Sequence, residues 1–289
     1  MTSPCRLVWP TGALLGEGPI WSAASGTISY VDIKGSAVHR YHPESGRHDT
    51  LDVEGQPSFI VPVEGGHRLV GSGDGLYLLD DAGLGERIMT IAMPAHNRTN
   101  DATVDCQGRL WFGTMDDAEQ QATGAIYSLV EGRLSRAGGD AIVTNGPAVT
   151  SDGRTLFHVD SSSRTIWRHR LGEDATWEES TPFLRLSEAE GFPDGIVLDS
   201  EGCLWVALWD GWGVQRYAPD GKLLQRVDLP CARVTKIAFG GPDLRTAYVT
   251  TARVGLSEEE LAAQPLAGGL FAFDAPVAGL PLPSVRLSA

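Results

Sequence analysis

The chain repeats itself, and the repetition limits its fold more than any other feature. A short strand, a glycine turn, a second apolar strand and a looser hairpin into a third strand occur six times. The copies start at Pro19, Phe59, Thr103, Ala148, Ile196 and Ile237. Their turn glycines Gly26, Gly66, Gly108, Gly153 and Gly202 stand 40 to 49 residues apart, and the sixth turn carries Asp243-Leu244-Arg245 instead. Repeats of this length holding three or four strands each are the signature of propeller blades. Runs such as Leu110-Trp111-Phe112 and Leu204-Trp205-Val206 suit strands packed between neighbouring sheets. The pattern predicts an all-β, six-bladed β-propeller forming a single domain over residues 1–289. An open last blade exposes an unpaired edge. The segments left over, Arg6–Trp9 and Ser284–Leu287, are therefore both expected to complete the sixth blade and close the ring. One short helix is expected from Ser257 to Ala263.

Composition excludes some partners. With 23 Lys and Arg against 37 Asp and Glu, the formal charge is 23 − 37 = −14. So acidic a chain repels phosphate backbones and anionic lipid, which argues against nucleic-acid and membrane partners. Cys5, Cys106, Cys203 and Cys231 form no C-x-x-C pair and no zinc spacing, and Cys106 and Cys203 are expected to be buried free thiols. No apolar run resembles a signal peptide or reaches transmembrane length. A cytoplasmic monomer or weak dimer is the expectation.

The repeat also aligns functional side chains. The first strand of a propeller blade lines the channel, so equivalent positions form a ring around one mouth. Asn100, Asn145 and Asp194 each lie eight residues before their turn glycine, and Glu17 lies nine before Gly26. Blades two and six place Phe59 and Lys236 in the corresponding region. Four oxygen-bearing side chains at one level suit one divalent cation. Taken singly, Asn-Gly and Pro-Asp-Gly are ordinary turns. Pro219-Asp220-Gly221 is such a turn, whereas Pro193-Asp194-Gly195 precedes an inner strand in phase with Asn145-Gly146-Pro147 and Glu17-Gly18-Pro19. Other motifs offer less. His39 and His42 would point to opposite strand faces, as exposed outer-blade residues. His96 precedes the Asn100 strand at the mouth, and the glycine-rich run Gly71–Gly75 reads as a hairpin turn. There is no G-x-S-x-G elbow, P-loop or dinucleotide fingerprint.

Leu15-Gly16-Glu17-Gly18-Pro19, Asn97-Arg98-Thr99-Asn100-Asp101, the run Gly108–Met115, Thr144-Asn145-Gly146-Pro147 and Pro193-Asp194-Gly195 together resemble the SMP-30/gluconolactonase/LRE (regucalcin-like) family. The resemblance spans essentially the whole chain and is similar in kind to bacterial aldonolactonases such as xylonolactonases. It implies that Glu17, Asn145 and Asp194 hold the metal, be it Ca²⁺, Zn²⁺, Mn²⁺, Mg²⁺ or Fe²⁺. It also implies that Arg98 and Asn100 contact a sugar lactone, with Asp101 orienting water or Arg98. Animal members carry a substrate-contacting Glu where this chain has Ala118; Asp117 or Glu119 would stand in, and Asp117 is taken as a substrate-binding residue.

The resemblance implies hydrolysis of a pentono- or hexono-lactone to the open aldonic acid. Asp194 would take the proton of the attacking water, with Asp101 as the second catalytic carboxylate and Arg98 adding positive charge. Trp209 and Trp212 would form either a sugar-stacking wall or inter-blade packing. Two rival functions share the fold: hydrolysis of phosphotriesters at the same site, and a non-enzymatic calcium-binding regulator.

Overall fold

The computed structural model describes residues 4–287. It is an all-β ring of six four-stranded antiparallel sheets. Blades one to five run in chain order from the channel outward, over 16–52, 57–90, 97–141, 144–185 and 192–228. The first strands touch one another around the channel. Outermost strands such as Arg47–Asp52 are exposed and charged, which discourages further strand pairing at the rim.

Each blade carries apolar side chains on both faces, because both faces are covered by neighbours. Six apolar clusters fill the six interfaces. Trp205, Phe239 and Phe271 lie between blades five and six, and Phe59, Leu110 and Phe112 between two and three. Trp9, Tyr30 and Tyr248 join six to one, where the first blade meets the last. This is why Leu110–Asp116 is buried at every position rather than at alternate ones.

Two blades anchor their turns by the same device. Asp105 accepts the Gln107 and Arg109 amides at 3.0 and 3.1 Å, Arg109 Nε at 2.6 Å and Trp111 Nε1 at 2.8 Å. Asp199 accepts the Glu201 and Cys203 amides, both at 3.0 Å, with Trp205 Nε1 at 3.0 Å and Arg216 Nε at 2.7 Å. Neither aspartate could be buried without these donors.

Ring closure needs only one of the two leftover segments. Arg6–Trp9 pairs antiparallel with Leu270–Asp274 as the outermost strand of blade six. Ser284–Leu287 does not join that sheet. After blade six the chain crosses the opposite end of the channel as a strap: Gly279 bridges Asp199, Val285 bridges Val63, and the Arg286 amide donates to Gly108 O. Pro281 and Pro283 lack the N–H groups of a central strand, and Leu280 and Leu282 instead pack into the interfaces four–five and two–three.

The expected helix spans Glu258–Ala263, capped by Ser257. Two local expectations are corrected. Cys106 is exposed, because it sits in the turn after Asp105 rather than in a strand, while Cys203 is buried. His39 is buried rather than exposed, since the N-terminal strand covers it: it bonds Thr50 Oγ1 at 2.9 Å and packs against Trp9 and Tyr30.

Candidate functional site

All six inner strands lose regular pairing at one level of the channel. The register breaks fall at Glu17/Ile20, Pro57/Phe59, Thr99/Ala102, Asn145/Ala148, Pro193/Ile196 and Val234/Lys236. Such a bulge bends the strand and re-aims the side chains at the break. Two glycines permit it. Gly18 and Gly146 adopt φ of 55° and 66°, and a Cβ on Gly146 would lie 2.8 Å from Ile196 Cγ1.

Glu17, Arg98, Asn100, Asp101, Asn145, Asp194 and Lys236 are all buried at this level. A hydrogen-bonded chain orders the amides. Arg98 Nη1 donates to Asn100 Oδ1 at 2.6 Å, and Asn100 Nδ2 donates to Asn145 Oδ1 at 2.9 Å and to Thr144 O at 2.8 Å. Asn145 Nδ2 donates to Ser161 Oγ at 3.0 Å, and Ser161 Oγ donates to Pro193 O at 2.8 Å, next to Asp194. Three blades are thus tied together, and the Asn145 oxygen is held in one orientation with a lone pair unspent.

Lys236 fills the slot that blade six contributes. It reaches across the channel to blade three, where its ammonium bonds Asp101 Oδ1 and, at 3.2 Å, Ala102 O. Asp101 Oδ2 is buried with no hydrogen-bond partner among the described residues. Among the described residues, the Asp194 carboxylate receives no hydrogen bond, and Glu17 receives only the Gly18 amide, at 2.9 Å. Burial, then the charge of Asp101, pushes the Glu17 carboxyl up to about 8. Burial, then Glu17 and Asp101, raises Asp194 well above the usual carboxylate range, and burial raises Asp101 despite Lys236.

This donor set fits a divalent cation. Three buried carboxylates face one ammonium, with oxygens left unpartnered, and such groups are stable only when paired or ligating. No three His, Cys, Asp or Glu side chains among the described residues form a cage by themselves. Carboxylate and amide oxygens of Glu17, Asp194 and Asn145 stand buried together at this level.

The rim above blades one to three carries a second cluster. Arg98 Nε donates to Asp117 Oδ1 at 2.6 Å, and Lys34 Nζ donates to the same oxygen at 2.7 Å and to Gln56 Oε1 at 2.9 Å. Partial burial works to raise the Asp117 carboxyl, but the bonds from Lys34 and Arg98 outweigh it and hold it at about 2. Asp117 is therefore committed to two cations. Exposed Glu119 adds a small repulsion at Asp194, after burial, Glu17 and Asp101. His96 bonds Thr123 Oγ1 at 3.2 Å in the neighbouring loop, and among the described residues its ring has no hydrogen bond to Glu17, Asp101 or Asp194. Trp212 is exposed beside Trp209, on which Arg233 stacks at 4.9 Å.

The sequence reading had placed Lys236 only as an exception to the ring and had not singled out Lys34, Gln56 or Ser161. Ser161, Lys34 and Gln56 lie in turns or at strand edges outside the aligned phase, so the repeat carries no signal for them.

The chain is similar to known proteins over nearly its whole length. A 6-deoxy-6-sulfogluconolactonase of Pseudomonas putida is 38% identical over 278 residues, covering 94% of this chain and 95% of its own. Pentonolactonase XacC of Haloferax volcanii is 32% identical, covering 94% of each chain. Among solved structures, a calcium-binding regucalcin of Agrobacterium tumefaciens superimposes with a TM-score of 0.91 at 31% identity, covering 99% of this chain and 98% of its own. The family model described as the SMP-30/gluconolactonase/LRE-like region matches residues 15–253. With relatives this similar over nearly the whole length and the carboxylate–amide ring at one mouth, the chain belongs to the SMP-30/gluconolactonase/LRE-like family.

Proposed function

We propose that the protein hydrolyses a sugar-acid lactone of five or six carbons to the open-chain aldonic acid, with one divalent ion held by Glu17, Asn145 and Asp194. The observation that carries this reading is the convergence of Glu17 and Asp194, buried and short of donors, with an amide oxygen held in one orientation by its own hydrogen bonds. The lactonase relatives support it. A divalent ion in that cage supplies Lewis-acid polarisation of the ester carbonyl.

The chain's own groups divide the remaining work. Both N–H groups of Asn100 are engaged, so it offers a substrate hydroxyl an acceptor through Oδ1 and no donor. Arg98 offers its Nη2 group, which has no partner among the described residues. Asp194 takes a proton as the water oxygen bonds to the carbonyl carbon, and returns it to the ring oxygen as the ester C–O bond breaks. Asp101, held by Lys236, keeps a second negative charge beside Asp194 and favours that proton transfer.

Proton release from D-xylono- and D-glucono-lactone tests the reading, with chelator-stripped protein and then with each divalent ion restored. Ion-dependent acceleration above the spontaneous rate is expected for at least one lactone. No acceleration with any ion would overturn it.

A further inference from the structure

We propose that Ser161 is a positioning residue of the ion cage: acting through Asn145, its hydroxyl fixes which end of that amide the cage receives. This rests on the ion-binding part of the reading above and extends it to a residue outside the three proposed ligands.

Glu17 and Asp194 present an oxygen whichever way their carboxylates turn, whereas the amide of Asn145 has a wrong end. Its oxygen and nitrogen are nearly alike in shape, so packing does not tell them apart; hydrogen bonding does. The sheet gives little help, because the ladder breaks between Asn145 and Ala148 and Gly146 follows with φ of 66°. The hydrogen-bonded chain at the mouth, however, runs in one direction only, since neither of its ends can reverse. At one end the Arg98 guanidinium can only donate, and at the other the Pro193 carbonyl can only accept. Arg98 Nη1 therefore meets the oxygen of Asn100, whose Nδ2 protons go to Thr144 O and Asn145 Oδ1. Ser161 Oγ gives its one proton to Pro193 O at 2.8 Å, so it has only lone pairs for Asn145 and takes Nδ2, at 3.0 Å.

Turning the Asn145 amide over would set Oδ1 against the Ser161 lone pairs and Nδ2 against Asn100 Nδ2. Two acceptors would meet at one contact and two donors at the other. Ser161 is well placed to enforce this. It follows Thr155–Asp160, the second strand of blade four, while Asn145 stands on the first. Its amide donates to Val143 O at 3.1 Å, its carbonyl accepts the Arg164 amide at 3.0 Å, and its side chain is buried. Main-chain bonds on both sides thus hold the hydroxyl beside Asn145. Among the described residues Asn145 Nδ2 has no other partner, so without Ser161 the amide is held by Asn100 alone.

Calorimetric titration of chelator-stripped protein with Ca²⁺, Mn²⁺, Mg²⁺ and Zn²⁺ in turn reads this role without any substrate. For the ion that binds, Ser161→Ala should raise Kd about 10- to 100-fold, the usual effect of losing an outer partner of a metal ligand. Ser161→Thr keeps the hydroxyl and should keep the native Kd. Should the alanine variant not fold, Ser161→Cys, with only a weakly hydrogen-bonding thiol, takes its place with the same rise expected. Asn145→Asp separates orientation from packing, because its two oxygens leave no wrong end. In that background Ser161→Ala should change Kd far less than in the native one. An equal rise in both backgrounds overturns the assignment. So does a native Kd in Ser161→Ala, even with a lower melting temperature in chelator, which would make Ser161 a packing residue. Native protein that binds none of the four ions removes the cage, and Ser161's part in it. Ion binding that weakens in Ser161→Ala, with no lactone hydrolysed, leaves the assignment standing and overturns the lactonase reading alone.

Discussion

Lys236 of blade six and Asp101 of blade three meet across the channel, ammonium to carboxylate, with both side chains buried. Among the described residues, no other positive charge forms an ion pair with Asp101. Lys236→Met therefore leaves a carboxylate buried beside Glu17 and Asp194, and should destabilise the protein by about 3–5 kcal/mol. Asp101→Asn added to it should recover much of that loss. Urea unfolding in chelator gives both values, and a double variant no more stable than the single would show the pair is not the cause.

Asp194→Asn should move activity and stability in opposite directions. Lactone turnover is expected to fall at least a hundredfold, since proton acceptor and cage oxygen are lost together. In chelator the variant should melt at or above the native temperature, because the carboxyl raised by burial, then by Glu17 and Asp101, is gone. Native protein should gain stability from a saturating divalent ion, about 2.7 kcal/mol at a hundred times Kd. The variant should lose most of that gain in the same calorimeter.

Blade four carries a buried histidine pair. His158 Nδ1 and His169 Nε2 are 2.7 Å apart, and both rings stack with Trp177. Burial, helped by His169, lowers His158 to about 3, and burial lowers His169 to about 4. The unfolded chain binds these protons first. Stability is therefore intact above the ordinary value of 6.5 and is lost as pH falls towards 4 and then 3. His158 alone accounts for a loss on the order of 3–5 kcal/mol over that window. A plot of melting temperature against pH should be distinctly flatter for His158→Phe below pH 6.5; parallel curves would assign acid sensitivity to other groups.

Asp199→Ala should be among the most damaging substitutions outside the site. It strands the Trp205 indole, two backbone amides and one edge of Arg216 in the interior. A cost of about 3–5 kcal/mol is expected by equilibrium unfolding, with the carboxylates of the channel unaltered. Asp105→Ala should behave alike in blade three. A loss below 1 kcal/mol, roughly that of one exposed hydrogen bond, would refute the anchoring role.

Much of this molecule was legible because the repeat does two jobs. It sets the blade count, and it carries Glu17, Asn100, Asn145 and Asp194 to the same depth, where the structure finds them buried together. What stayed hidden lies off the repeat. Lys236 looked like a break in the polar ring, since counting positions does not show that a long side chain can span the channel. Lys34 and Asp117 meet through turns of different blades, 83 positions apart. Local spacing holds no trace of such a contact. The C-terminal segment was read as a strand from its leftover position, whereas Pro281 and Pro283 leave it suited to a strap.

That strap, with the pairing of Arg6–Trp9 to Leu270–Asp274, bears on how the chain is born. The outermost strand of blade six precedes the other described strands in the chain, and its partner follows them. Val285 and Arg286, later still, reach back to Val63 and Gly108. A nascent chain leaving the ribosome can build blades one to five in order, yet it holds an unmatched first segment throughout. The long-range closure that seals the ring waits for Leu270–Asp274, and until that segment pairs with Arg6–Trp9 the last blade is an incomplete sheet with an unpaired edge.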